Sequence, residues 1–123
     1  MLVLVDTSVW IDHLHRTDPE LVALLRETLV VIHPAVVGEL ACGTIPNRRE
    51  FLSLLLTLPR VDEVHFEEAL GLVEASRLWS RGLGWTDIHL LASALVSRVS
   101  LWTRDRLLRQ MAGQLKIPVK AAA

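Results

Sequence analysis

Four acidic residues stand where a parallel α/β protein keeps its chemistry. Asp6 directly follows the apolar run Leu2–Val5, and Asp105 comes two residues after the run Ser100–Thr103. Such runs read as strands covered on both faces, and strand carboxyl ends are the ligand-binding rim of such sheets. Asp87 opens a largely apolar helix. Glu39 lies on a helix starting at Pro34, flanked by Val36, Val37, Leu40 and Ala41; a carboxylate among so many apolar neighbours is costly without a partner. Each acid has a plain structural role to set against this. The aspartates can cap helices, at roughly 1 kcal/mol each, and Glu39 can occupy an exposed helix side. Taken together, several negative charges at one rim oppose ionisation and call for a cation. An all-oxygen donor set selects Mg²⁺ or Mn²⁺ rather than zinc. Those ions serve phosphoryl chemistry: one activates the attacking water and a second stabilises the leaving oxygen.

Other chemistries find less support. Cys42 is the sole cysteine, and five scattered histidines give no CxxC, HxxxH or HxxEH spacing, so zinc is disfavoured. His89 falls on a different helix face from Asp87, and His13 and His15 read as surface residues. No phosphate-binding glycine loop occurs, and Ser8 lacks the GxSxG context of a serine hydrolase. An acyl-phosphate phosphatase using Asp6 as nucleophile would want a second acid at position 8, where this chain has serine. A non-catalytic module whose acidic cleft binds a basic partner is the alternative from a different class. Arg104, between Thr103 and Asp105, is a candidate for a substrate phosphate, although solvated surface is the ordinary fate of such an arginine. Trp79 and Trp85 flank a glycine-containing loop; stacking on bases or on a partner competes there with core or dimer-interface roles.

The elements that must position these groups follow from periodicity. After the first strand, Asp6-Thr7-Ser8 leads into a short helix, and Asp18-Pro19-Glu20 starts another with the stripe Leu21, Leu24 and Leu25. Leu29–Ile32 reads as a second strand. Helices are predicted over Pro34–Cys42, Arg48–Leu58, Glu67–Arg81 and Ile88–Ser97, and one begins at Asp105 and ends near Gly113. Val61–Val64 reads equally as strand or connection, and Ile117-Pro118-Val119 as a last edge strand. Strands alternating with helices argue for a parallel sheet with helices on both faces. The 123 residues, about half of them hydrophobic, suit one compact domain over positions 1–123. A net charge of −1 does not advertise nucleic-acid binding. The lone cysteine fits a reducing cytoplasm, and with no signal peptide or membrane span visible, no membrane is expected.

Four segments, VDTSVWIDHL (5–14), VVGELACG (36–43), WTDIHLLASAL (85–95) and LWTRDRLL (101–108), resemble in order the signature blocks of PIN-domain ribonucleases, and most of all the VapC toxins of toxin–antitoxin systems. Each block alone is weak, whereas four in order span nearly the whole chain. The resemblance implies a three-layer α/β/α sandwich with a parallel central sheet and Mg²⁺- or Mn²⁺-dependent cleavage of RNA by water. The family's four acids fall on Asp6, Glu39, Asp87 and Asp105. Its supporting hydroxyls fall on Thr7 or Ser8, and on Thr103. On this basis Asp6, Asp87 and Asp105 ligate metal, while Glu39 ligates directly, ligates through water or acts as general base. The resemblance also implies a homodimer and a cognate antitoxin covering the active site.

Overall fold

The computed structural model describes residues 1–120. Its element order is β1 (Val3–Val5), α1 (Thr7–His15), α2 (Pro19–Arg26), β2 (Val30–Val31), α3 (Pro34–Ala41), α4 (Arg48–Leu55), α5 (Phe66–Ala75), α6 (Trp85–Ser97), β3 (Ser100–Trp102) and α7 (Arg106–Gln114). The three strands are parallel in the order β2-β1-β3. Leu4 pairs with Val31 on one side and Leu101 on the other. Every strand residue is buried, as expected of a sheet covered on both faces. The chain leaves central β1 for β2 and later crosses to β3 on the opposite side. Right-handed connections running in opposite directions put helices on both faces, which is the three-layer α/β sandwich expected from the sequence.

This order also fixes where a crevice opens. The strand order reverses beside β1, and ligands of open parallel sheets bind beyond the strand carboxyl ends at such a point. Asp6 follows β1 there, and Thr103, Arg104 and Asp105 follow β3. Behind them the sheet packs on α6, whose Ile88, Leu90, Leu91, Ala92, Ser93 and Ala94 are all buried. Each fully buried Leu or Ile contributes about 1.5–3 kcal/mol, so this helix is held firmly.

The end of α5 and the last edge strand differ from the sequence expectation, and the structure decides the 61–64 stretch that the sequence leaves open. α5 stops at Ala75, six residues before the apolar period runs out. Arg77 takes a left-handed backbone with φ 53°, and the Leu78 N–H then donates to the Val73 carbonyl at 3.0 Å. This is a Schellman ending, for which glycine is the usual signal; with arginine there, and with Leu78 turning back into the core, the helical pattern outlasts the helix. The 61–64 stretch is a connection, touching the sheet only through a bridge between Arg60 and Ile32. Ile117–Val119 forms no full edge strand, only a bridge from Val119 to Leu101.

Candidate active site

Asp6 occupies the N-cap of α1, yet its side chain makes no capping hydrogen bond. Its carboxylate is held instead by two hydroxyls, since Thr103 Oγ1 donates to Asp6 Oδ2 at 2.7 Å and Ser8 Oγ donates to the same oxygen at 2.9 Å. The hydroxyls lie 3.3 Å apart and are tied in turn to the other strand end: the Asp105 N–H donates to Thr103 Oγ1 at 3.0 Å, and the Arg104 N–H to Ser8 Oγ at 2.9 Å. The carboxyl ends of β1 and β3 are thus laced together through side chains 97 positions apart. Asp6 is only 8% exposed, a burial that would be costly for an isolated carboxylate but is offset by these donors.

Asp105 is a true N-cap, its Oδ1 accepting from the Leu108 N–H at 3.1 Å. Asp87 is not. The N-cap of α6 is Gly84, and Asp87, at the third helical position, reaches back to accept from the Gly84 N–H through Oδ2 at 2.9 Å. Each of the three aspartates therefore commits one oxygen to local structure and leaves the other without a protein hydrogen bond among the described residues. None forms an ion pair with a basic side chain among those residues. Burial pushes the Asp87 carboxyl above the usual range; the Gly84 N–H opposes this, and the charges of Asp6 and Asp105 add to the rise. The three carboxylates share one electrostatic neighbourhood.

Glu39 is carried by a separate element. It is exposed on α3, where it lines a shallow groove with Ile11, Leu14 and Ile45. Of the two settings open to it, the exposed one is observed: Val36 and Leu40 are buried in the core, and Glu39 lies on the solvent-facing flank of the same helix. Of Thr7 and Ser8, it is Ser8 that donates to Asp6, while the Thr7 hydroxyl is buried without a hydrogen-bond partner among the described residues. Arg104, the candidate for a substrate phosphate, is paired with two acids of the chain. Its Nε pairs with Asp12 at 3.1 Å and its Nη2 with Asp18 at 2.6 Å, and the guanidinium lies over the Trp102 ring. The edge formed by Nε and Nη2 is engaged, so the side chain braces β3 against α1 and α2. The sequence carried no signal for that bridge, since its acids lie 86 and more positions away. The glycine that holds Asp87 was findable, because Gly-x-x-Asp before an apolar run follows the logic of a capping box.

The donor set suits a hydrated hard cation. Among the described residues no three acidic or imidazole groups stand close enough to enclose an ion unaided. Mg²⁺, however, keeps several waters and is commonly held by one or two carboxylates. Three rim aspartates with spare oxygens and no ion pair to a basic side chain among the described residues fit that mode.

The family model of the PIN domain matches residues 3–114. The chain belongs to the PIN-domain family. This PIN domain is 49% identical over 109 residues to Ribonuclease VapC32 of Mycobacterium tuberculosis, with 88% of each chain covered. In structure it resembles VapBC-1 from nontypeable Haemophilus influenzae at TM-score 0.72 and 16% identity, over 98% of this chain and 97% of that one. It also resembles FitAcB from Neisseria gonorrhoeae at TM-score 0.65 and 18% identity, over 98% and 97% of the two chains. At such identities these structures speak to the fold, whereas the mycobacterial relative is similar in sequence along most of its length.

Proposed function

We propose that this PIN domain is a VapC-type endoribonuclease toxin that hydrolyses RNA with Mg²⁺ or Mn²⁺ held by Asp6, Asp87 and Asp105. The observation that carries the reading is the spare oxygen, without a protein hydrogen bond among the described residues, on each of three rim carboxylates: Asp6 held by Thr103 and Ser8, Asp87 by the Gly84 N–H and Asp105 by the Leu108 N–H. The mycobacterial ribonuclease relative supports the same activity. When bound, the ion lowers the pKa of water and neutralises charge on the phosphodiester. The chain's own residues do the rest. Ser8 and Thr103 hold the Asp6 carboxylate in one orientation through two hydrogen bonds to the same oxygen. The Gly84 and Leu108 N–H groups aim Asp87 and Asp105 in the same way. Glu39, which has no ion pair among the described residues, is the acid assigned to take the water's proton or to ligate through water. The water oxygen bonds to phosphorus, the bond to the leaving ribose oxygen breaks, and that oxygen is protonated. The family further supplies an antitoxin partner and a homodimer for this chain, and a cytoplasmic setting suits that chemistry.

Asp6→Asn, Asp87→Asn and Asp105→Asn are each expected to abolish RNA cleavage and growth inhibition while the protein stays folded, because Asn keeps shape and capping but removes the charge. Mapping RNA 5′ ends after brief expression of wild type and each variant tests this. Melting curves give an independent readout. Mn²⁺ at a hundredfold excess over its dissociation constant stabilises wild type by about 2.7 kcal/mol, and Asp87→Asn loses most of that gain. Full cleavage by a folded Asp87→Asn protein sinks the site. A protein indifferent to EDTA and without nuclease activity leaves the acids as a docking face for a basic partner.

A further inference from the structure

Six of the thirteen basic residues fall between positions 76 and 109, a stretch whose only acids are Asp87 and Asp105. Two of the six, Arg77 and Arg81, flank Trp79 on the loop between α5 and α6, and this loop forms one wall of an open cleft. The other wall is the exposed side of α7, with Leu107 and Gln110. Neither arginine pairs with a carboxylate among the described residues. Arg81 Nε donates to the Arg77 carbonyl at 3.0 Å, which sets the plane of its fork and leaves the terminal nitrogens without a protein partner among the described residues. The loop is built to present these groups. Arg77, Ser80 and Gly82 are left-handed, with φ of 53°, 58° and 86°, a conformation that costs non-glycine residues roughly 1–2 kcal/mol each. The resulting path buries Leu78 and leaves Trp79 54% exposed.

The cleft adjoins the proposed site at both ends of its walls. The loop ends at Gly84, whose N–H holds Asp87, and α7 begins at its cap Asp105. Gly82 sits so close to α7 that an added Cβ would lie 3.2 Å from Leu107 Cδ2. Gln110 is five residues past Asp105, about 7.5 Å along the helix axis. Free guanidinium groups beside one exposed indole match the two chemistries of a single-stranded nucleic acid, anionic phosphates and flat bases.

We propose that this cleft is an RNA subsite next to the scissile phosphate. Arg77 and Arg81 take backbone phosphates there, and Trp79 stacks on an unpaired base. The proposal rests on the ribonuclease reading above and assigns the residues that grip its substrate. It also shows how a chain of net charge −1 can hold a polyanion, through local rather than overall charge.

The test uses a labelled mixed-sequence single-stranded RNA, with binding measured in EDTA over a range of salt and cleavage measured in Mn²⁺. Arg77→Gln/Arg81→Gln weakens binding about tenfold or more and lowers the salt slope by about 1.4, roughly 0.7 per phosphate. KM rises while kcat holds. Trp79→Ala weakens binding by about fivefold to a hundredfold, and Trp79→Phe restores most of it. Arg49→Ala, which removes an exposed arginine from α4, changes nothing. Melting curves and sedimentation confirm that every variant keeps its fold and assembly. Wild-type cleavage with unchanged KM and salt slope in the double variant overturns the subsite alone. Loss of self-association or of antitoxin capture, with RNA binding intact, makes the cleft a protein interface and also overturns it. Failure of wild type to bind or cleave RNA removes the ribonuclease reading and the subsite with it.

Discussion

His33 shows how much one side chain can be asked to do at the rim. It follows β2, caps α3 by accepting the Ala35 N–H through Nδ1 at 2.9 Å, and is only 3% exposed, with Nε2 buried and unpartnered among the described residues. A cap of this kind requires the neutral ring, because a protonated Nδ1 cannot accept. Burial holds its pKa below the usual value; the Glu63 charge opposes this, and His89 and Arg60 reinforce it. The folded protein therefore binds fewer protons than the unfolded chain, whose histidine titrates near about 6.5. The stabilisation is complete above that pH and is lost as pH falls through the folded value. The wild-type melting temperature should climb from pH 5 to pH 7.5, and His33→Asn, which keeps a capping acceptor that does not titrate, should climb less. The smaller side chain lowers the melting temperature at every pH, so the slope is the readout. Parallel curves for the two proteins would show that the imidazole does not titrate with folding.

At the scale of elements, α1, α2 and α4 leave an apolar groove lined by Trp10, Leu25, Phe51, Leu54 and Leu58. α4 turns Leu55 into the core but leaves Leu54 65% exposed at the groove edge. Such a groove accepts the apolar face of an amphipathic helix. The partner proposed for it is the antitoxin's amphipathic segment, with a guanidinium reaching the rim carboxylates bidentately. Leu54→Glu should leave folding and RNA cleavage intact and weaken neutralisation by the cognate antitoxin about tenfold or more, read from growth on co-expression and from direct binding. Full neutralisation of that variant would remove the groove from the interface.

The whole molecule carries a second apolar surface, on α5 and α6. Phe66 is 60% exposed and packs at 5.7 Å against the half-exposed Trp85, with Leu70 one turn further along α5. Large exposed apolar groups gathered in this way mark association surfaces, and the homodimer proposed for this chain is assigned to this face. An isologous contact brings each Phe66 against the same patch of its partner. Phe66→Glu is therefore expected to shift sedimentation from dimer to monomer with the melting transition still cooperative. A dimer that survives the substitution at micromolar concentration would move the interface elsewhere. No helix among the described residues is long and apolar enough to cross a membrane.

Much of this molecule was already determined by local sequence. The apolar runs at β1, β2 and β3, the Asp18-Pro19 and His33-Pro34 helix starts and the buried stripe of α6 follow from periodicity and capping chemistry, which act over a few residues. The order of four short motifs named the family. Tertiary structure decided what depends on groups far apart in the chain. Asp6 is freed from capping because Thr103, 97 positions later, and Ser8 bind the oxygen that would otherwise cap α1. Arg104 is bound by Asp12 and Asp18 across two helices. Glu39 is exposed because burial belongs to a helix face, and residues adjacent in sequence on a helix point in different directions. The end of α5 depended on Leu78 reaching the core, which stabilises a left-handed arginine that no local rule would have placed there. Sequence could name the family because motifs are local. The geometry that joins them depended on which strand ends the sheet order β2-β1-β3 set side by side.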